Sequence, residues 1–175
     1  NCIKSLKTKK FKKILIPKFD KSIDDRLPKN KWQKIKKKPH IVIFEGWCVG
    51  ASAQKNKDLL VPVNVLEKDE DKKRIWRNCV NKELKNNYKK IFKLIDKNIF
   101  LKVPNFNYVY KWRLLQEKKL RAVYKGKKTM NSNQIKKFIM FYERLTKHML
   151  KNFSKKAKIV IKIDEKHRLK TVSIN

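Results

Sequence analysis

Glycine, cysteine and acidic residues are all scarce in this chain of 175 residues, which holds three glycines, three cysteines and 15 acids. The cysteines Cys2, Cys48 and Cys79 are scattered, and their spacing is not that of paired metal ligands. They are therefore interpreted as reduced thiols of an intracellular protein. No apolar run approaches the roughly 20 residues that span a bilayer, and no apolar signal region follows the basic residues 1–13. These absences predict a cytoplasmic protein without a membrane partner.

The scarcity of acids leaves a net charge of +34, because 49 residues are Lys or Arg. Such a charge favours non-specific binding of nucleic acid through counterion release. Only seven of these residues are Arg, however, and the bidentate Arg fork is what specific phosphate and base readers favour. The lysines are spread along the whole chain. The composition therefore favours a generally lysine-coated surface, and a basic nucleic-acid-binding module stays open as an alternative.

One short stretch carries the strongest indication of a functional site. Residues 41–44 form the all-apolar run Ile-Val-Ile-Phe, which is typical of a strand covered on both faces. The run leads directly into Glu45 and Gly46. Because ligands in open α/β sheets bind beyond the carboxyl ends of such strands, Glu45 is predicted to lie at the edge of an active site. A carboxylate there suits Mg²⁺ or its waters; the simpler alternative is a strand that happens to end at a charged residue.

Apolar periodicity predicts strands that alternate with helices. Apolar residues recur every three or four positions from Ile75 to Ile95, which indicates one amphipathic helix. Asn131 and Gln134 form a loose capping box at the start of a later helix. This alternation, with 41% hydrophobic residues to build a core, indicates an α/β sheet of parallel order in a single domain. The other predicted elements are an extended run at 13–17, turns at 18–30, a short helix at 32–38, a polar loop at 51–63, strands at 99–103 and 157–163, and a helix at 108–124.

Residues 17–26 hold a cluster of charges in a chain that is poor in acids. The segment begins Pro-Lys-Phe-Asp-Lys-Ser and includes Asp20, Lys21, Asp25 and Arg26. On spacing alone, the favoured interpretation is an exposed turn rich in Asp.

Residues 108–121 are a helical segment with several hydrogen-bond donors. Helical spacing places Arg113, Gln116 and either Glu117 or Arg121 along adjacent faces, where the donors can converge on one anion. Phosphoryl transfer needs that convergence, because its catalysis depends on positioned cations and in-line geometry. The alternative is a solvated charged face.

Taken together and in this order, these segments resemble the P-loop kinases of the D-glycerate 3-kinase type, which are relatives of uridine kinase, pantothenate kinase and phosphoribulokinase. The resemblance covers almost the whole chain, and its Glu-Gly-Trp and Trp-Arg-x-x-Gln-Glu elements are specific in combination. The matching residues are Pro-x-Phe-Asp-Lys-Ser and Asp-Arg within 17–26, Phe-Glu-Gly-Trp-Cys-Val-Gly at 44–50, Asn81, Leu84 and Tyr88 of one helix, Tyr110, Trp112, Arg113, Gln116, Glu117 and Leu120 of the next, and the later residues Met130, Phe138, Tyr142 and Thr146.

The resemblance implies an α/β fold in which a P-loop NTPase-like parallel sheet is flanked by helices, with a lid-like helical region at about 104–130. It implies a cytoplasmic kinase that uses ATP and Mg²⁺ to phosphorylate a small hydroxy acid, D-glycerate. By this resemblance Glu45 is the acid that meets Mg²⁺, through water, and Arg113 is the catalytic cation. The lid over the phosphates consists of Arg113, Gln116 and Arg121, and the loop for the acceptor includes Asp20, Lys21, Asp25 and Arg26.

The phosphate loop of that family is absent from the sequence. No Gly-x-x-x-x-Gly-Lys-Ser/Thr occurs, and the glycines are Gly46, Gly50 and Gly126. Without that loop there is no ring of backbone N–H groups for the β-phosphate and no hydroxyl for Mg²⁺. The chain is therefore expected to be a kinase domain that lacks its N-terminal segment and does not turn over ATP by itself. A kinase-like scaffold without catalysis is a further alternative.

Overall fold

The computed structural model describes residues 2–20, 23–123 and 129–175. The chain forms two compact units, Asn1–Gly46 and Trp47–Asn175. Within the described ranges, no helix has both the length and the apolarity that a membrane span requires. The single kinase domain expected from the sequence stays a prediction, and each unit is described by itself.

The first unit is built from short elements. Helix α1 (Cys2–Lys7) precedes strand β1 (Ile14–Ile16), and β1 confirms the extended run predicted at 13–17. Strands β2 (Phe19–Asp20) and β3 (Asp25–Arg26) form a small antiparallel hairpin. A 3₁₀ turn (Lys29–Lys31) then leads into β4 (Gln33–Ile35), which pairs antiparallel with β1.

The short helix predicted at 32–38 is wrong, because this segment contains β4. The spacing of Trp32 and Ile35 fits a helix, but the backbone pairs with β1 instead, with Ile35 opposite Ile14. The indole Nε1 of Trp32 donates a hydrogen bond to the carbonyl of Leu27 at 2.6 Å. Pairing with a distant strand therefore overrides the local periodicity.

The buried strand predicted at 41–44 is also wrong. This segment has no regular secondary structure, and the side chains of Ile41 and Ile43 are 78% and 84% exposed. An isolated extended segment has no neighbouring strand to pair with its backbone groups or to cover its side chains. Among the described residues no strand pairs with 41–44, so its composition alone does not produce a strand.

The second unit contains a three-stranded sheet of order β5-β6-β7. The predicted strands at 99–103 and 157–163 are confirmed as β5 (Ile99–Lys102) and β6 (Ile159–Ile163), which run parallel. The third strand, β7 (Leu169–Ile174), was not predicted and pairs antiparallel with β6. The sheet is therefore mixed, and the expectation of purely parallel order is wrong for β7.

The helices of the second unit follow the predicted periodicity closely. The helix predicted from Ile75 to Ile95 is continuous over three parts, α3 (Ile75–Glu83), a π-helical turn (Leu84–Tyr88) and α4 (Lys89–Phe92). Helix α6 begins with the predicted capping box, in which Asn131 and Gln134 exchange hydrogen bonds. The remaining helical elements are a 3₁₀ turn (Asn56–Leu59), α2 (Val65–Asp69), α5 (Phe106–Val123), α6 (Ser132–Asn152) and a second 3₁₀ turn (Phe153–Lys155).

One face of the sheet packs on the core, and the opposite face does not. Phe100 and Val160 face a cluster that includes Leu84, Met149 and Phe153, and the rings of Phe100 and Phe153 meet edge to face at 5.2 Å. On the opposite face, six aliphatic side chains stand in two rows across the three strands, because strand side chains alternate. The outer four are more than half exposed. The rows are Ile99, Ile159 and Ile174, and Leu101, Ile161 and Val172.

Candidate functional site

A cavity of about 460 Å³ opens between α5, α6 and the carboxyl end of β5, within the second unit. Most of its lining is aromatic or aliphatic, including Trp47, Phe138 and Tyr142. The cation that lines it is Arg113, with Gln116 one helical turn further on. Two of the predicted lid residues therefore reach one concave surface, which is the form that small-molecule sites usually take.

The guanidinium of Arg113 is held in place by three neighbours. Its Nη1 donates to Oε1 of Gln116 at 2.6 Å, and its Nη2 lies 3.5 Å from Oε1 of Glu117. The guanidinium also lies over the ring of Phe138, 5.6 Å from the ring centroid. These contacts restrict a long side chain that would otherwise sample many rotamers, so the positive charge stays at the cavity.

Glu117 is a buried carboxylate that the sequence placed beside Arg113 without a role of its own. Glu117 is only 4% exposed, and its Oε1 also accepts a hydrogen bond from the backbone N–H of Met130 at 3.2 Å. Its Oε2 has no hydrogen-bond partner among the described residues. A buried carboxylate needs a cation nearby, and Arg113 at position i−4 supplies it. The helical spacing was the signal that could have identified this pair.

Trp47 attaches the turn at residues 47–50 to helix α6. Its Nε1 donates to Oγ1 of Thr146 at 3.0 Å, and Thr146 in turn donates to the carbonyl of Tyr142. The rings of Trp47 and Tyr142 have centroids 5.0 Å apart. Trp47 therefore forms one wall of the Arg113 cavity.

The remaining predicted lid residue, Arg121, does not line this cavity. Its Nε donates to Oγ1 of Thr129 at 2.8 Å, and its Nη2 donates to the carbonyl of Met130 at 2.7 Å. Together with Glu117, Arg121 fixes the Met130 peptide just before α6. A role for Arg121 toward phosphate stays a prediction.

Three of the four predicted acceptor residues lie together in the first unit. Asp20 and Asp25 are directly opposite each other in the β2–β3 hairpin, and the exposed Arg26 follows in β3. Lys21 lies outside the described residues. Glu45 also belongs to the first unit and is exposed. The structure therefore brings Asp20, Asp25 and Arg26 together, and their relation to the Arg113 cavity stays a prediction.

Metal binding is predicted only for Glu45. The described residues contain no cluster of three or more His, Cys, Asp or Glu side chains suited to hold a metal ion. Mg²⁺ usually keeps several waters and takes one or two carboxylates together with substrate phosphates. A single accessible carboxylate such as Glu45 fits that mode of binding, whereas it does not fit a site made from protein ligands alone.

Ser52, His148 and Asn152 form a chain of contacts that resembles a nucleophilic triad but has the wrong polarity. The amide Nδ2 of Asn152 donates to Nδ1 of His148 and also to the carbonyl of that residue. Nε2 of His148 must then carry the proton and donate it to Oγ of Ser52, 3.3 Å away. Burial, with a smaller effect of Lys156, lowers the pKa of His148, which favours this neutral form. The contacts therefore hold the loop after Trp47 against α6 and do not activate Ser52.

A buried ion-pair network joins α2 to α6. Arg144 donates from Nε and Nη2 to the two carboxylate oxygens of Glu67, at 2.7 and 2.6 Å, and from Nη1 and Nη2 to the carbonyls of Asp58 and Val61. Arg77 adds a weaker contact to Glu67 at 3.3 Å. No sequence pattern singled out this network, since its members are up to 86 positions apart.

The network lowers the pKa of Glu67, so the free energy of unfolding depends on pH in the acid range. Burial by itself raises the pKa of Glu67, but hydrogen bonds from Arg144 and the Val63 N–H and the charges of Arg144 and Arg77 hold that pKa below its ordinary value. A carboxyl whose pKa is lowered on folding contributes stability above its unfolded pKa, about 4.3, and loses that contribution as the pH falls.

We expect the free energy of unfolding, measured with urea, to fall between about pH 5 and pH 3. Glu67→Gln should flatten that fall, whereas Glu70→Gln, at an exposed ion pair, should leave it unchanged. A fall of equal size in all three proteins would contradict the assignment.

No protein-family model matches the sequence. The uncharacterized kinase mug58 of Schizosaccharomyces pombe is 33% identical over 141 residues, a match that covers 74% of this chain and 47% of that protein. The chloroplastic D-glycerate 3-kinase of Arabidopsis thaliana is 27% identical over 139 residues, 77% of this chain and 28% of that protein. The chain is homologous to D-glycerate 3-kinases.

Solved structures of similar proteins agree with the fold expected for the D-glycerate 3-kinase family. The D-glycerate 3-kinase from Cryptococcus neoformans superposes with a TM-score of 0.76 at 21% identity, over 93% of this chain and 60% of that one. The YGR205w protein superposes with a TM-score of 0.64 at 24% identity, over 92% of this chain and 57% of that one. The fold is thus the α/β fold of P-loop kinases, with a mixed sheet and flanking helices. The chain spans less than half the length of either curated relative and about three fifths of each solved one.

Proposed function

We propose that this chain is part of an ATP-dependent kinase that transfers the γ-phosphoryl group to a hydroxyl of a small hydroxy acid, D-glycerate. The observation that carries the proposal is the position of Arg113, which Gln116, Glu117 and Phe138 hold at the cavity. During its transfer, the phosphoryl group carries its charge on its peripheral oxygens. A guanidinium that is already in place stabilises that charge without having to reorganise. Its planar fork also suits phosphate geometry.

The other predicted residues are assigned roles toward the metal ion and toward the acceptor. Mg²⁺, when bound, neutralises charge on the phosphates, and Glu45 would hold it through water. In the β2–β3 hairpin, Arg26 offers a cation for the carboxylate of the acceptor, and Asp20 or Asp25 offers an acceptor for the hydroxyl proton. Lys21 adds a second cation to the same loop, and a cytoplasmic location is part of the proposal.

We further propose that the nucleotide phosphates are cradled by a segment outside these 175 residues. The sequence has no phosphate-loop motif, and the relatives are much longer than the matched region. Two features support a missing neighbour. Among the described residues, β5 pairs with a strand on only one of its edges, and segment 41–44 is apolar and exposed without a partner. Such edges and surfaces are normally covered in α/β proteins.

The experiment compares two proteins in a coupled assay of ADP release with ATP, Mg²⁺ and D-glycerate. One is the 175-residue chain, and the other is an extended protein, in which the chain is joined to the part of the Schizosaccharomyces pombe relative outside the matched residues. We expect glycerate-dependent turnover from the extended protein only, because the phosphate cradle contributes to both ground-state and transition-state binding. The control is the extended protein assayed without D-glycerate.

Each other outcome counts against part of the proposal. Brisk glycerate phosphorylation by the 175-residue chain alone would refute the need for a second segment. A folded extended protein that binds ATP but phosphorylates no hydroxy acid would favour the scaffold without catalysis.

The net charge of +34 also predicts retention on duplex DNA at low salt. A preference for one DNA sequence or structure would favour the nucleic-acid-binding alternative.

A further inference from the structure

The turn between β6 and β7 contacts the helix that carries Arg113. Trp112, the residue before Arg113 on α5, lies against His167 with ring centroids 3.8 Å apart and planes tilted by 43°. Its indole Nε1 also donates to the carbonyl of Glu165 at 3.4 Å. One turn earlier, a hydrogen bond between the Tyr108 hydroxyl and the carboxylate of Glu165 raises the pKa of Tyr108. Two successive turns of α5 are therefore attached to one hairpin turn.

That hairpin turn has a defined conformation. Oδ1 of Asp164 accepts the backbone N–H groups of Lys166 and Arg168, and Oδ2 accepts Nε of Arg168, each at 2.8 Å. His167 has a left-handed backbone with φ of +63°, which is uncommon for a residue with a side chain. This conformation presents the imidazole to Trp112, and His167 joins Trp112 and Arg113 in the lining of the cavity.

Three neighbours hold the Arg113 guanidinium, and none of them belongs to the sheet: Phe138 lies on α6, and the other two lie on α5. Gln116 and Glu117 lie on α5 itself, so they fix the side chain relative to the helix and move with the helix. They cannot fix α5 relative to the sheet. The contacts of Trp112 come from another element and are adjacent in sequence to Arg113, so they restrict where this part of α5 lies.

We propose that Trp112 and His167 form an anchor that positions Arg113 at the cavity, so that the β6–β7 turn acts as a positioning element for the phosphate-binding cation. The part of this inference that concerns phosphate rests on the proposed function. Trp112 and His167 are positioning residues, since they act through Arg113. Small displacements matter in such a role, because a shift of about 1 Å in a catalytic group can lower a rate by about 10²-fold.

The first test measures the anchor without any activity. Hydrogen exchange is followed on the 175-residue chain for the backbone amides of residues 110–116, together with the side-chain ¹⁵Nε signal of Arg113. His167→Asn removes the imidazole but tolerates the left-handed backbone, and Trp112→Phe keeps a ring but removes the donor. We expect either variant to lower protection at 110–116 by about tenfold and to narrow the Arg113 signal, because local opening becomes easier. Trp76→Phe, at an aromatic contact on α3, is the matched control.

The second test measures positioning in the extended protein. We expect His167→Asn to lower kcat by roughly tenfold with little change in the KM for D-glycerate and with an unchanged urea midpoint. Unchanged exchange at 110–116 in both variants would overturn the anchor. If exchange at 110–116 changes but the kcat of an active extended protein does not, the role of the anchor in positioning Arg113 is overturned. If the unsubstituted extended protein were inactive, the proposed function would fail, and the exchange and ¹⁵Nε results would still decide whether the anchor holds Arg113.

Discussion

Replacing Arg113 by Met in the extended protein is expected to lower kcat by about 10³-fold, because arginines that stabilise the charge of a transferred phosphoryl group contribute about 10³–10⁵ to the rate. Met keeps much of the length and apolar character of the side chain, and it removes the charge together with the contact of the guanidinium with Phe138. The same substitution leaves Glu117 buried without its partner, so some loss of stability accompanies the loss of rate. Steady-state kinetics and a urea titration on each protein separate the two effects.

Two further variants make the Arg113 prediction specific. Lys118→Met removes one cation from an exposed position of the same helix and should change kcat by less than about twofold, because exposed charges are screened. Arg113→Lys keeps the charge but loses the planar fork, so its kcat should lie between those of the parent and Arg113→Met. A loss of less than about fivefold in Arg113→Met would remove this residue from the phosphate site.

Arg144→Met is expected to lower the free energy of unfolding of the 175-residue chain by about 3–5 kcal/mol, as for other buried pairs that lose one partner. The guanidinium makes four hydrogen bonds, two to the carboxylate of Glu67 and two to the carbonyls of Asp58 and Val61. Without it, the Glu67 carboxylate keeps, among the described residues, only the longer contact to Arg77 and the hydrogen bond from the Val63 N–H. Urea unfolding followed by circular dichroism measures the change.

The control for Arg144→Met lies on the same helix. Lys137 pairs with Glu70 at 2.7 Å, but both side chains are about half exposed, so Lys137→Met should cost less than about 1 kcal/mol. If Lys137→Met and Arg144→Met lower the free energy of unfolding by similar amounts, the buried network contributes no more stability than an exposed ion pair. Combining Arg144→Met with Glu67→Gln should recover part of the stability, because the uncompensated charge is then absent.

Amphipathic helices were predictable because their determinants are local. The stripe that begins at Ile75 and the capping box of Asn131 and Gln134 both lie within the elements they define. The same locality placed Arg113, Gln116 and Glu117 on neighbouring turns, so the centre of the candidate site was visible in the sequence. The resemblance to D-glycerate 3-kinases then supplied the chemistry that spacing alone left open.

The wrong predictions concern elements that depend on distant partners. Segment 41–44 has the composition of a buried strand, but no described strand pairs with it. The spacing at 32–38 fits a helix, but residues 33–35 form a strand because they pair with β1. Strand β7 pairs with the neighbouring β6 and is exposed along its whole length, and it lacks the continuous apolar run that marks β5 and β6. The network of Arg144 and Glu67 and the contact of Trp112 with His167 join residues more than 50 positions apart, and no single-sequence pattern encodes such distances.

The central proposal, which rests on the family resemblance, is that Glu45 and Arg113 serve one phosphate pocket. A structure of the extended protein with Mg²⁺ and a non-hydrolysable ATP analogue tests it most directly. The prediction is that the guanidinium of Arg113 lies within about 2.7–3.2 Å of a γ-phosphate oxygen. The carboxylate of Glu45 should lie within roughly 5 Å of the same Mg²⁺, through its waters. A nucleotide whose γ-phosphate meets neither side chain, or side chains that face opposite sides of the protein, would contradict the account.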